Sequence, residues 1–218
     1  AVGLNGNVWL TREPHTYTGD GGTFGQPEWW PIMDTTNNTS YGTITALAWS
    51  KDGNYLYVAD RKGSSSRVFR LSNILNARTP EQISSFGIDK FDSTGNPVNI
   101  YELEIETHKL GNFSQYITDI AVDPNVPNNI VVTLGNYGNS NYVYFSTNAA
   151  TTTNENSTFN FDPVQGNLPE TPAYSAVIQY NDSRKVILGT EFGIYTTTDI
   201  TANPVVWNYE SEDIGKVP

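Results

Sequence analysis

The sequence predicts an all-β protein of the propeller type: an arc of about four blades, each a four-stranded antiparallel meander, the first blade partial. Three observations carry this. One strand-and-turn unit occurs four times along the 218 residues. The strands on either side of it recur as well, joined by turn chemistry. The spacing between copies is uneven, which marks a constant core with variable loops.

The recurring unit is clearest when its copies are placed in register: Val8-Trp9-Leu10-Thr11-Arg12-Glu13, Val68-Phe69-Arg70-Leu71-Ser72-Asn73, Val143-Tyr144-Phe145-Ser146-Thr147-Asn148 and Ile194-Tyr195-Thr196-Thr197-Thr198-Asp199. Each begins with a β-branched residue followed by an aromatic, types that suit a pleated, half-buried surface. Each reaches Glu, Asn, Asn or Asp five positions on. An Asn or Asp just past a strand accepts backbone N–H bonds and fixes a turn. The strand before the unit recurs as Tyr55–Asp60, Ile130–Gly135 and Val186–Glu191, and the strand before that as Ile44–Ser50, Ile117–Asp123 and Tyr174–Tyr180. Between these two lie Lys51-Asp52-Gly53-Asn54, Pro124–Asn129 and Asn181-Asp182-Ser183-Arg184, all rich in turn formers. In the last copy, Glu191-Phe192-Gly193 forms the hairpin turn, with Gly193 free to take a positive φ. Aromatics mark each closing strand: Trp29 with Trp30, Phe86, Phe159 with Phe161, and Trp207 with Tyr209. These elements divide the chain into blades at about 1–35, 43–113, 114–169 and 170–218. A β-sandwich is the competing architecture, since it too has closely spaced turns. The fixed five-residue offset in four copies argues against it.

Two regions depart from the repeat. The first unit opens at the Val8 strand, without the two strands that precede the unit elsewhere. Residues 76–113 form the largest insertion. Within it, Pro97–Leu110 alternates apolar and charged residues and predicts an added edge strand or hairpin with Glu102, Glu104 and Glu106 on the wet face. Asn73–Arg78 has room for a single helical turn, and no long helix is expected. Gly215-x-x-Pro218 repeats the spacing of Gly166-x-x-Pro169, after which a blade begins, so the remaining blades or domains of a longer parent chain are expected partners.

Composition excludes several function classes. The formal net charge is −11 and no basic stripe is present, which argues against nucleic acid and against an anionic membrane surface. No apolar run reaches the length of a membrane span. There is no cysteine, so no disulfide and no thiolate chemistry. High aromatic content (12%) with few charges (16%) and many Asn, Thr, Ser and Gly is the common look of secreted β-rich proteins. A secreted or cell-surface location is therefore expected.

The stretches IAVDPNVPNNIVVTLG (120–135), VYFSTN (143–148) followed by Phe159, and FGIYTTTD (192–199) closed by Trp207 resemble the repeat of BNR/Asp-box propellers. Thr18-x-Asp20-x-Gly22-Thr23-Phe24 is close to the Asp-box pattern, one residue short. That group includes sialidases, xyloglucan-cleaving glycosidases and sortilin-like receptor propellers, and the chain most resembles large secreted proteins of Bacteroidetes-type bacteria. The resemblance implies the propeller fold. The box is degraded, since Asn73 and Asn148 replace its Asp and most of its glycines are missing. Asp boxes lie on outer turns and speak to fold rather than to catalysis.

For chemistry, a glycoside hydrolase needs two carboxylates across a cleft. Asp60, Asp119, Asp123 and Glu191 lie near strand ends or turns, where caps and surface charges are the ordinary reading. A sialidase also needs an arginine cluster and a Tyr nucleophile activated by Glu. This chain holds six arginines (Arg12, Arg61, Arg67, Arg70, Arg78, Arg184) and no Arg-Ile-Pro motif. The two histidines, His15 and His108, have no metal-ligand spacing, and no segment matches an EF-hand loop, so neither a metal nor another cofactor is expected. The expected role is binding or structural and leans away from catalysis. Tyr17, Phe24, Trp29 and Trp30 are the aromatic candidates to meet a protein or glycan ligand, with burial of Trp30 between blades as the competing reading. Part of a glycoside hydrolase, completed by further blades, is the alternative.

Overall fold

A computed structural model describes residues 1–4, 6–11, 29–34, 42–77, 93, 105–153 and 161–211. The described chain is built from four antiparallel sheets. The first holds β1 (Val2–Leu4), β2 (Asn7–Leu10) and β3 (Trp30–Asp34). The second holds β4 (Thr43–Trp49), β5 (Leu56–Lys62), β6 (Ser65–Ser72) and β7 (Glu106–Phe113). The third holds β8 (Ile117–Val122), β9 (Ile130–Leu134), β10 (Val143–Ser146) and β11 (Asp162–Pro163). The fourth holds β12 (Ala173–Ile178), β13 (Val186–Thr190), β14 (Gly193–Thr197) and β15 (Asn208–Tyr209). Every sheet is a simple meander, its strands paired in chain order. Among the described residues the one helical element is a 3-10 turn at Ile74–Asn76, within the span expected for it. No helix among them is long and apolar enough to cross a membrane.

The repeated units therefore fold as β2, β6, β10 and β14. Two expectations are corrected. Among the described residues the first sheet has one strand, β1, ahead of its repeat unit, where neither of the two preceding strands is expected. The closing strand of the second sheet is β7, which pairs along β6 from Ser66↔Phe113 to Ser72↔Glu106. Of the alternating Pro97–Leu110 stretch, residues 106–110 fall in this fourth strand of the repeat; Phe86, Glu102 and Glu104 lie outside the described residues. Residues 106–113 suit that place because Leu110 and Phe113 are buried while Glu106 stays exposed.

The sheets pack face to face in series through their first strands, β1 on β4, β4 on β8 and β8 on β12. Two apolar clusters fill the spaces. Leu10, Trp30, Ile32, Leu56, Val58 and Leu71 lie between the first and second sheets. Tyr57, Val68, Val131, Phe145, Val186 and Leu188 belong to one continuous core through the second, third and fourth. Each first strand of the three larger sheets carries the same irregularity, an extra residue at Thr45, Thr118 and Tyr174. A bulge of this kind bends the strand and re-aims the side chain it carries.

One end of the sheets, the turn end, is held by bonds that repeat. Asn73, Asn148 and Asp199 each offer a backbone carbonyl to the N–H three residues on, at 3.0, 3.1 and 3.3 Å. The residue after each is apolar and buried (Ile74, Ala149, Ile200). Its N–H reaches back to the turn between the first two strands of its own sheet: Ile74 N to Asn54 O at 3.3 Å, Ala149 N to Asn128 O at 3.0 Å, Ile200 N to Arg184 O at 2.8 Å. The five-residue offset of the sequence is the trace of this bond. It satisfies backbone groups that a buried turn would otherwise leave unpaired.

Candidate functional site

The four carboxylates near strand ends meet different fates. Asp60 is fully buried, and both of its oxygens are bonded by Arg67, Nε to Oδ1 at 2.9 Å and Nη2 to Oδ2. Asp123 is buried and caps its turn, Oδ1 accepting from Asn125 N and Val126 N and Oδ2 from Asn129 Nδ2. Asp119 joins two sheets: Oδ1 accepts from Ile120 N at 2.8 Å and Oδ2 from Ala176 N of β12 at 3.1 Å. These three are engaged in holding the fold. Glu191 is exposed.

Glu191 stands at the loop end, opposite the repeated turns, where second strands turn into third strands and first strands begin. Its Oε2 accepts from Tyr137 Oη at 2.5 Å and from Tyr174 Oη at 3.3 Å. The three side chains come from three elements. Tyr137 sits in the 135–142 loop between Asn136 and Gly138, which take left-handed φ of 66° and 95°. Tyr174 is the bulge residue of β12. Glu191 begins the β13–β14 turn, which is tied to the strand entry by Glu191 N to Pro172 O at 3.1 Å and closed by Thr190 Oγ1 to Gly193 O at 2.9 Å. Gly193 has φ 128°, as the turn requires. The third sheet has the matching anchor, Gly135 N to Tyr116 O at 2.7 Å.

The cluster is open to solvent. Tyr137 is 60% exposed, Tyr174 50%, and Phe192, next to Glu191, 61%. The bond to the carboxylate raises the Tyr137 pKa above the ordinary phenol value. Tyr174 is raised too, by burial first and by Glu191 second. Phenols that remain protonated are hydrogen-bond donors, and their rings offer flat apolar faces. On the second sheet the matching turn is cationic: Arg61 donates to Ser66 Oγ at 3.1 Å and lies 5.9 Å from the Tyr116 ring centroid.

The aromatic residues expected from sequence are placed differently. Trp30 is buried in the core between the first two sheets, so it has no face for a ligand. Trp29 beside it is half-buried. Tyr17 and Phe24, with His15, lie outside the described residues. His108 is partly buried on β7, its Nε2 3.7 Å from Glu106. Among the described residues no group of three or more His, Cys, Asp or Glu could hold a metal ion. A cleft of about 630 Å³ opens between Phe145 and Asp162 of the third sheet and Ile200–Val205 of the fourth, but it gathers no cluster of titratable groups.

No family model matches the chain, and no curated protein matches it. Among solved structures it is similar to the Niastella koreensis GH74 enzyme, with a TM-score of 0.50 and 20% identity over 85% of this chain. The fold is a β-propeller. The match takes in 25% of the enzyme's chain, so this chain spans about a quarter of its length. At this identity the likeness concerns fold alone.

Proposed function

We propose that the chain is a non-catalytic, glycan-binding segment of a propeller in a secreted or cell-surface protein. The ligand would lie at the loop end, across Tyr137, Tyr174 and Phe192, with Glu191 accepting from its hydroxyls. The observation that carries this reading is the Tyr137–Glu191–Tyr174 cluster, where exposed aromatics converge on a carboxylate that, among the described residues, caps no turn and joins no salt bridge. Loops at the end of a rigid scaffold are the usual bearers of binding. A carboxylate at the centre, within a chain of net charge −11, favours neutral sugars over acidic ones. The BNR/Asp-box reading is supported by the repeated turn-end bond, in which an Asn or Asp precedes a buried apolar residue.

The test is affinity electrophoresis through gels containing xyloglucan or a sialylated glycoprotein, with reducing-sugar release measured in parallel. Retardation by the neutral polysaccharide is expected, abolished in the Tyr137→Ala/Phe192→Ala double variant. Absence of retardation sinks the binding proposal. Release of reducing ends would favour the second reading, a portion of a glycoside hydrolase, which rests on the likeness to the GH74 enzyme.

A further inference from the structure

We infer that the outward face of the fourth sheet is an inter-blade interface, covered by a further four-stranded sheet of the same repeat that follows in a longer chain. The register of the sheets makes the comparison position by position. Ala48, Ala121 and Val177 are equivalent on the first strands, and Tyr57, Val131 and Ile187 on the second, each pair directly opposed across its ladder. In the second and third sheets this face is covered by the next sheet. Tyr57 Oη donates to Pro127 O at 2.6 Å, and Arg70, opposite Tyr57, donates to Ala149 O and Thr152 O. Asp119 Oδ2 accepts from Ala176 N. Tyr57 and Val131 are therefore 0% exposed, yet Ile187 is 43% exposed; Ala121 is 8% exposed and Val177 57%.

The exposed positions are nevertheless apolar and β-branched. Val177 and Ile187 lie side by side, and Ile194 falls on the same face through its pairing with Gly189. A solvated sheet face normally alternates to polar residues, whereas a face covered by a sheet reads apolar on both sides. The occupant is specified by the two interfaces already present. It must offer buried aliphatics from its own first strand, as Ile120 does to the second sheet and Ala176 to the third. Opposite Ser175, the residue equivalent to Asp119, it can offer a backbone N–H as Ala176 does at the third–fourth interface. A meander of this same repeat has those features.

The absence of native cysteine makes thiol labelling a clean readout. Single Ile187→Cys, Val131→Cys and Leu75→Cys variants would be made, Leu75 being 56% exposed on a distant turn. In the 218-residue chain, Ile187→Cys should react with a maleimide on the order of tenfold faster than Val131→Cys and close to Leu75→Cys. In the chain extended through the next stretch of its own coding sequence, Ile187→Cys should slow on the order of tenfold while Leu75→Cys is unchanged. Three results would overturn the inference: an unchanged rate in the extended chain, a coding sequence that stops at residue 218, or slow labelling in the 218-residue chain itself. Light scattering then separates cover by a second copy from cover within one chain.

Discussion

The two ends of the sheets are built on different rules. At the turn end, three sheets repeat one backbone bond with the same partners in the same order, and the side chains there serve it. At the loop end, the third and fourth sheets share an anchoring bond, Gly135 N to Tyr116 O and Glu191 N to Pro172 O, and beyond it their residues diverge. Backbone bonds depend little on side-chain identity, so the turn end can repeat while sequence drifts. A side-chain cluster such as Tyr137–Glu191–Tyr174 needs three particular residues from separate elements, so it marks a local demand rather than a demand of the fold. The contrast sets a fastening repeated by the fold at one end against the proposed binding cluster at the other.

The largest expected effect is at the turn end. Arg70 is buried, and its Nη1 donates to Ala149 O at 3.0 Å and Thr152 O at 2.9 Å, fastening the second sheet to the closing turn of the third. Burial lowers its pKa from the usual guanidinium value. Arg70→Met keeps most of the volume but strands two carbonyls, and should cost about 3 kcal/mol in urea unfolding. A loss below about 1 kcal/mol would mean that water replaces the guanidinium and that the fastening is not needed. Asp123→Ala, which removes three acceptor bonds from a single turn, should cost less, about 1.5 kcal/mol. Asp123→Asn, which keeps the Oδ1 acceptor for Asn125 N and Val126 N, should recover most of it.

The same division explains what could be read from the sequence. The third strand of the three larger sheets was legible because a β-branched–aromatic pair at a fixed distance from Asn or Asp reflects a backbone bond that those three copies share. The hairpins Ile117–Asp123 with Ile130–Gly135 were legible to within a residue, since β8 and β9 run Ile117–Val122 and Ile130–Leu134. β7 is at the edge of its sheet with Glu106 exposed, as its alternation of apolar and charged residues suggests, but that pattern does not tell a strand that completes a sheet from one added to it. The site was largely hidden. Glu191 was visible as a carboxylate in a turn, but nothing local showed that a bulge would turn Tyr174 toward it. Tyr137 carried a usable signal: an aromatic enclosed by Asn136 and Gly138 has no strand to pack in. Trp30 carried two readings, ligand contact and packing between blades, and the core between the first two sheets took it.

The smallest effect on stability is expected from the loop end, and it sharpens the comparison through titration. Tyr137 and Tyr180 are both exposed, one at each end, and their pKa values move in opposite directions. Glu191 raises Tyr137, whereas Lys51, whose Nζ meets Tyr180 Oη at 2.7 Å, lowers Tyr180. For Tyr137 the native pKa exceeds the ordinary phenol value near 10, so its contribution is whole below about pH 10 and is lost as pH rises through the raised value. For Tyr180 the native pKa is depressed, so its contribution is present above about pH 10 and is lost as pH falls through the lowered value. A spectrophotometric titration should therefore lose an early step in Tyr180→Phe and a late step in Tyr137→Phe. Glu191→Gln should leave Tm within about 2 °C of the parent, because the cluster is exposed. It should return Tyr137 toward the ordinary value, since the bond to Glu191 is the first cause of its shift. Tyr174 should keep part of its elevation, because burial is the first cause there. If Glu191→Gln moved Tyr174 as far as Tyr137, the two phenols would share the carboxylate equally. If it moved neither, the Tyr137–Glu191 bond would not exist in solution, and the loop end would lose the feature that sets it apart from the turn end.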